Sequence, residues 1–228
     1  MPSRPLAEAL RGRFITFEGI DGCGKTTQAQ LLAQALRHQG VAVLETREPG
    51  GTPVGKALRA VLLDPAHEAL TPACELLLFL ADRVQHLAQV VRPALAQGQT
   101  VLCDRFHDAT VAYQHHARGL DLAPYQPLID STIAPTWPDL TFWLDLDVPS
   151  AQGRVSQRQR QTGPAAKDAG PRMSRLDGAG AEFYKRVREG YRRLAEQFPQ
   201  RIVRVDAARP VEVVQQAIWR VLLRRLGA

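Results

Sequence analysis

The chain has 228 residues, 45% of them hydrophobic, which is enough for one substantial buried core. Its formal charge of +6 is concentrated in residues 154–175, 185–193 and 220–225, without the aromatic interleaving that single-strand nucleic-acid platforms use, so a phosphate-rich small molecule accounts for it and nucleic acid is not expected as a partner. Three widely spaced cysteines, Cys23, Cys74 and Cys103, suit neither a disulfide framework nor a zinc site and point to a reducing, cytoplasmic setting, and no apolar run approaches the length of a transmembrane helix.

Residues 1–13 lack the apolar middle region of a signal peptide and read as a frayed, basic lead-in. The short apolar run 14–18, bounded by Gly19, has the signature of a strand buried on both faces. Directly after it, residues 19–26 read GIDGCGKT, a match to G-x-x-x-x-G-K-[ST]. Gly19, Gly22 and Gly24 let the backbone turn its N–H groups inward, and the helix that follows aims its positive end at the same spot. Lys25 is suited to reach the outer phosphates, and the Thr26 hydroxyl to ligate Mg²⁺. From Thr27 to Gln39, Ala29, Leu32, Ala33 and Leu36 recur at helical spacing and Gly40 stops the helix.

Residues 41–44 form a second buried strand, which runs through Glu45 and Thr46 into the loop REPGGT at 47–52. Pro49 and the paired glycines prevent regular structure there, so Arg47 and Glu48 sit on a defined turn. A helix follows over 54–63, then a long one over 72–97 with a kink at Pro93. Taken alone, Phe79 is one more core residue. Arg83 lies one turn further on the same face, however, and could hydrogen-bond a ring stacked on Phe79.

Residues 100–104 read as a third buried strand ending in Asp104, which resembles the Walker B acid that handles Mg²⁺. No Glu follows it, so the water-activating base of motor ATPases is missing, and Arg105 in that place suggests a second anion to be held. A helix over 106–113 precedes His115 and His116; adjacent side chains on a helix diverge by about 100°, and no further ligand lies at suitable spacing, so a metal centre is not expected there. Residues 138–145 and 201–206 supply the fourth and fifth strands. Between them lie Arg154, Arg158 and Arg160, then a Gly/Pro-containing stretch with no apolar period, together reading as a basic, mobile lid. Amphipathic helices over 181–198 and 210–226 close the chain.

Strands alternating with helices predict a three-layer α/β fold of the P-loop NTPase type, with a five-stranded parallel sheet, helices on both faces and a lid at about 150–177, all in a single domain over 14–228. The P-loop, the Arg47 turn and the Asp104-Arg105 turn all leave carboxyl ends of strands and converge on one cleft. A GTPase would need an N-K-x-D element, and the chain contains no asparagine. A kinase of small molecules remains, in which Arg47 and Arg105 hold an acceptor phosphate.

The stretches FEGIDGCGKTTQ, REPGGT, FLADR, DRFHDATVAYQ with RGL after it, PDLTFWLDLD and RLDGAGAEFYKRVREGY together resemble the thymidylate kinase family, over about residues 14–222. The resemblance implies transfer of the ATP γ-phosphate to dTMP with Mg²⁺ held at Thr26 and Asp104. It makes Gly19, Ile20, Asp21, Gly22, Cys23, Gly24, Lys25, Thr26 and Thr27 the ATP site, with Ala207 and Ala208 edging adenine. It assigns dTMP to Arg47, Glu48, Phe79, Arg83, Asp104, Arg105, Thr110, Tyr113 and Gln114, with Phe79 stacked on thymine. Lys25, Asp21, Arg105, Arg158 and Arg160 become the catalytic set; a Gly at position 22 goes with a catalytic arginine in the lid, assigned here to Arg160. A homodimer through the helix that begins at Pro72 is implied as well. Two features depart from the family pattern: His115-His116-Ala117 replaces a Gly-rich stretch, and extra residues between Arg160 and Arg172 leave the register of the lid arginines open. Two other readings stand beside this one, a kinase of another pyrimidine monophosphate and a non-enzymatic nucleotide-binding regulator.

Overall fold

A computed structural model of the chain describes residues 6–161, 175 and 180–227. Five strands, β1 (Phe14–Glu18), β2 (Val43–Arg47), β3 (Thr100–Asp104), β4 (Leu140–Asp145) and β5 (Ile202–Asp206), form one sheet in the order β2-β3-β1-β4-β5. All four pairings are parallel, with Phe17 beside Asp104 and beside Phe142. Helices cover both faces, as parallel strands joined by crossovers require. On β1 the alternation divides the core: Ile15 and Phe17 pack with α2 (Lys25–His38), α9 (Gly180–Gln197) and α10 (Val211–Leu226), while Phe14 packs with α4 (Pro72–His86) on the other face. The remaining helices are α1 (Leu6–Ala9), α3 (Pro53–Leu63), α5 (Arg92–Ala96), α6 (His107–Thr110), α7 (Gln126–Ile133) and α8 (Val148–Gln161). Among the described residues no helix is long and apolar enough to cross a membrane.

The structure departs from the sequence reading in five places. The lead-in is not frayed from residue 6 onward: α1 forms a turn, Leu10 is completely buried, and its carbonyl accepts from Thr100 Oγ1 at 2.7 Å. Two leucines four residues apart are enough to dock this turn on the sheet. The second strand starts at Val43 rather than at 41 and is only half-buried, because it is an edge strand with one neighbour. Within the long helix a π turn over Leu87–Val91 precedes Pro93, placing the proline in the first turn of α5, where its missing N–H is harmless. The helix begun at His107 continues as a π turn over Val111–Ala117, so Gln114, His115 and His116 are helical. Finally, α7 was not foreseen; its short apolar set is stabilised from outside, by Arg92 donating to the Thr132 and Ala134 carbonyls. The predicted lid is covered by α8 up to residue 161; residues 162–174 and 176–179 lie outside the described residues.

Candidate active site

The P-loop leaves β1 with φ of 137° at Gly19, 85° at Gly22 and 100° at Gly24, a left-handed sequence that side chains rarely tolerate. Contact excludes them too: a Cβ on Gly22 would lie 2.3 Å from the Ala151 carbonyl oxygen of α8, and one on Gly19 would lie 2.6 Å from that of Leu144. Gly24 forms the N-cap of α2 and brings no side chain to occupy its first-turn N–H groups, which suits that end to an anion. The buried Lys25 ammonium donates to the Gly19 and Ile20 carbonyls at 3.1 and 3.0 Å, folded back under the loop whose phosphate it is suited to meet. The Cys23 thiol is buried there and pushed up by that burial, so it stays a neutral, packed group.

Across the loop, Thr26 Oγ1 donates to Asp104 Oδ2 at 2.5 Å. A hydroxyl and a carboxylate brought together at the mouth of a phosphate cradle are the hard oxygen donors that Mg²⁺ takes, so the donor set fits that ion. Asp21 accepts from Arg105 Nη2 at 2.7 Å. Burial pushes the Asp21 carboxyl up, but Arg105, Lys25 and Arg158 together outweigh it and hold it at about 2, so it is ionised at neutral pH. Arg105 also donates to the Gly19 carbonyl at 3.1 Å and to Tyr113 Oη at 3.0 Å, and its φ of 73° is a left-handed conformation rare for a non-glycine residue.

The acceptor side is built on α3, α4 and the π turn after α6. Glu75, Phe79 and Arg83 follow one another at four-residue spacing along one face of α4, and Phe79 is half-buried beside the buried other two. Arg83 donates to Glu48 Oε2 at 2.8 Å, to Thr110 Oγ1 at 3.0 Å and to the Phe106 carbonyl at 3.1 Å. Glu48 in turn accepts from His86 Nδ1, 2.9 Å away. Gln114 donates to Glu75 Oε1 at 2.8 Å, and Arg118 and Arg175 donate to the same carboxylate, which they hold below its usual range against the upward push of burial. Every residue of the predicted acceptor set except Arg47 and Phe79 thus has a direct hydrogen-bond partner within the site.

Arg47 is exposed at the end of β2 and belongs to a cluster of three arginines that the sequence reading did not assemble. Arg59, on α3, donates to the Pro49 carbonyl at 3.0 Å, and its acidity is increased first by burial and then by the charges of Arg47 and Arg105. Arg47 pairs in register with Asp104, next to Arg105, and Arg59 lies on the turn that follows Arg47, so three cations gather at neighbouring strand ends, an arrangement suited to an anion. Arg59 follows Gly55 by four residues and precedes Leu62 by three, on the buried face of α3, and no motif in the sequence marks it.

The face of α8 toward the P-loop carries Ala151, Val155 and, one turn on, Arg158; Arg154 donates to the Ala207 carbonyl at 3.0 Å, tying the helix to the loop after β5. Arg158 is the lid arginine whose charge acts on Asp21. Arg158 and Arg160 are both exposed, and they stand roughly 200° apart around the helix. Ala207 and Ala208 lie beside the P-loop side of the sheet, with Ala207 N–H donating to the Asp145 carbonyl at 2.9 Å. The predicted histidine pair lies away from these residues: His115 contacts the Leu120 carbonyl and His116 packs over Gly190. Two further groups went unread in the sequence, Glu18 and Tyr191, which meet beneath Arg105.

The sequence model of the family described as thymidylate kinase matches residues 17–218. The thymidylate kinase of Trichlorobacter lovleyi is 49% identical over 214 residues, covering 94% of this chain and 98% of its own, and that of Geotalea uraniireducens is 46% identical over 216 residues, covering 95% and 99%. The crystal structure of thymidylate kinase from Ehrlichia chaffeensis superposes with a TM-score of 0.70 at 34% identity, covering 92% of this chain and 97% of that one. With a P-loop, an acid beside its threonine and arginines gathered at neighbouring strand ends, and with a family model and relatives matching across nearly the whole length, the chain belongs to the thymidylate kinase family.

Proposed function

We propose that the chain transfers the γ-phosphate of ATP to dTMP, giving dTDP and ADP for dTTP supply, as a cytoplasmic homodimer. The observation that carries the reading is that Arg47, paired in register with Asp104, Arg59, on the Pro49 carbonyl, and Arg105, on the Gly19 carbonyl, gather beside the P-loop: binding of a nucleoside triphosphate alone needs no second phosphate cradle. The dTMP phosphate occupies that cluster, and its base stacks on Phe79, with Arg83, Thr110 and Gln114 reading the edge and Tyr113 closing the sugar side. Asp21, ionised and bound to Arg105, lies where an acceptor sugar meets the phosphate. Ala207 and Ala208 edge the adenine. No general base is required, since a phosphate monoester is already nucleophilic at neutral pH.

The chemistry is in-line displacement, in which positioning and charge stabilisation supply the catalysis. Lys25 leaves the loop carbonyls for the transferred group, Arg105 aligns the acceptor oxygen, and a lid arginine neutralises developing charge. Arg158 is preferred to Arg160 for that last role because it shares the P-loop face of α8 with Val155. Mg²⁺, held by Thr26 and Asp104, supplies neutralisation of the phosphate oxygens when bound.

Exposed Val54 and Val61 on α3, and Leu77 and Val84 on α4, repeat at seven-residue spacing on two helices that pack together, and support a dimer through this face. Light scattering should give twice the 25.2 kDa chain mass, and V84E should lower it. The activity is tested by ADP release with ATP, Mg²⁺ and each of dTMP, dUMP, UMP, CMP and AMP. A preference for dTMP is expected; preference for another monophosphate would overturn the base assignment, and no turnover with any of them would favour a nucleotide-binding regulator.

A further inference from the structure

We infer that Glu18 and Tyr191 are positioning residues for Arg105, acting as a relay that fixes both the backbone turn and the guanidinium of the acceptor-phosphate arginine. The inference rests on the reading of Arg105 as an acceptor ligand. β3 ends at Asp104, and among the described non-glycine residues Arg105 alone takes a positive φ, 73°. An L-residue in that region is strained and persists only where its surroundings hold it.

The turn is held on both sides. Arg105 N–H donates to the Phe17 carbonyl at 2.9 Å, and the next N–H, that of Phe106, donates to Glu18 Oε1 at 2.7 Å. Glu18 is therefore the partner of the second amide beyond the strand, one that would otherwise be buried without an acceptor. Its second oxygen accepts from Tyr191 Oη at 2.7 Å. With that proton committed to Glu18, the Tyr191 oxygen presents a lone pair, and Arg105 Nη1 donates to it at 3.5 Å. Tyr113 Oη accepts from the other terminal nitrogen. Glu18 and Tyr191 are both buried; besides Arg105, Tyr191 meets the Tyr113 ring edge-on with 6.5 Å between centroids, a contact that loss of the hydroxyl leaves in place. Tyr191 stands on α9, at a sequence distance of 173 residues from Glu18, so the relay ties the acceptor arginine to the helix that follows the lid.

Tyr191→Phe removes the hydroxyl while leaving the ring stacked on Trp143, whose centroid is 6.4 Å away. In steady-state assays with ATP and dTMP, KM for dTMP should rise about three- to tenfold, as expected for loss of one long hydrogen bond to the guanidinium, with KM for ATP unchanged. A purely structural role would lower thermal stability and leave both KM values alone, which would overturn the inference. Arg105→Lys separates the two levels: if it leaves KM for dTMP unchanged, the reading of Arg105 itself is wrong. If Arg105→Lys raises that KM and Tyr191→Phe does not, the relay is wrong. In the double variant the Tyr191→Phe effect should vanish, and additive effects would show that Tyr191 acts by another route. Should Tyr191→Phe fail to fold, Glu18→Gln carries the same test, since its amide oxygen can keep the Phe106 contact while its NH₂ reverses the polarity toward Tyr191; the same rise in KM for dTMP is expected, and its absence counts against the relay.

Discussion

Gly22 and Gly24 separate two requirements that P-loop glycines usually meet together. Both hold a positive φ, 85° and 100°, so an alanine at either position loses roughly 1–2 kcal/mol to the left-handed backbone. The surroundings differ: a Cβ on Gly24 meets nothing within 4 Å, whereas one on Gly22 lies 2.3 Å from the Ala151 carbonyl oxygen and 3.0 Å from Val155 Cγ2. The former distance is about 1 Å short of ordinary contact, so α8 must retreat, adding an overpacking term of about 1–3 kcal/mol. For a domain of this size each kcal/mol shifts Tm by about 2–4 °C. Without nucleotide, Gly24→Ala should therefore melt roughly 2–8 °C below the wild type, and Gly22→Ala about 4–8 °C lower again, for a central overpacking value of ~2 kcal/mol. Calorimetry measures both directly. Because α8 carries Arg154 and Arg158, the same retreat should lower kcat of Gly22→Ala by ~100-fold. Equal melting points for the two variants would refute the packing argument, and an unchanged kcat in a destabilised Gly22→Ala would detach α8 from catalysis.

Arg83→Met removes all three Arg83 hydrogen bonds and leaves buried Glu48 with His86 as its remaining side-chain partner. Urea unfolding should show a loss of ~3–5 kcal/mol, and a loss below ~1 kcal/mol would mean that the buried pair is not strongly coupled. On α8, Arg158→Ala should reduce kcat by ~100-fold or more with dTMP binding nearly intact, and Arg160→Ala much less; the reverse order would restore the catalytic role to Arg160. Burial, reinforced by Asp108, raises the Glu18 carboxyl from 4.5 to about 7. Between those values the folded chain keeps a proton that the unfolded chain has released, so this group lowers stability as pH rises through the window and contributes a constant penalty above it. Stability measured by urea unfolding from pH 4.5 to 7 should lose that slope in Glu18→Gln; an unaltered slope would assign it to other groups.

Features that depend on a few consecutive residues were legible in the sequence. The glycine spacing of the P-loop, the apolar runs of β1 and β3, and the helical period of α2 and α10 are local, and each survives in the structure within about two residues. The parallel sheet followed from the alternation of strands and helices, and the cleft from the strand ends at Gly19, Arg47 and Asp104. Boundaries were read less well where tertiary contact overrode local signals: α1 is ordered because Leu10 finds the core, and the helix after Phe106 runs on past Tyr113 because its side chains pack against α9.

What no local pattern carries is which distant groups share a pocket. Arg47 and Arg105 could be paired from their motifs, but Arg59 joins them only because α3 packs against α4 and lays that side chain on the Pro49–Gly50 turn. Ala151 and Val155 meet Gly22, and the Arg158 charge acts on Asp21, because of how α8 is rotated against the P-loop, a contact with no signature in the helix's own sequence. Glu18 and Tyr191, 173 residues apart, meet at 2.7 Å because α9 lies against the carboxyl end of β1. Sequence by itself determined the chemistry on offer, a phosphate cradle with cations and acids at strand ends. Tertiary structure decided which of those charges are buried together, and burial sets how strongly they hold one another.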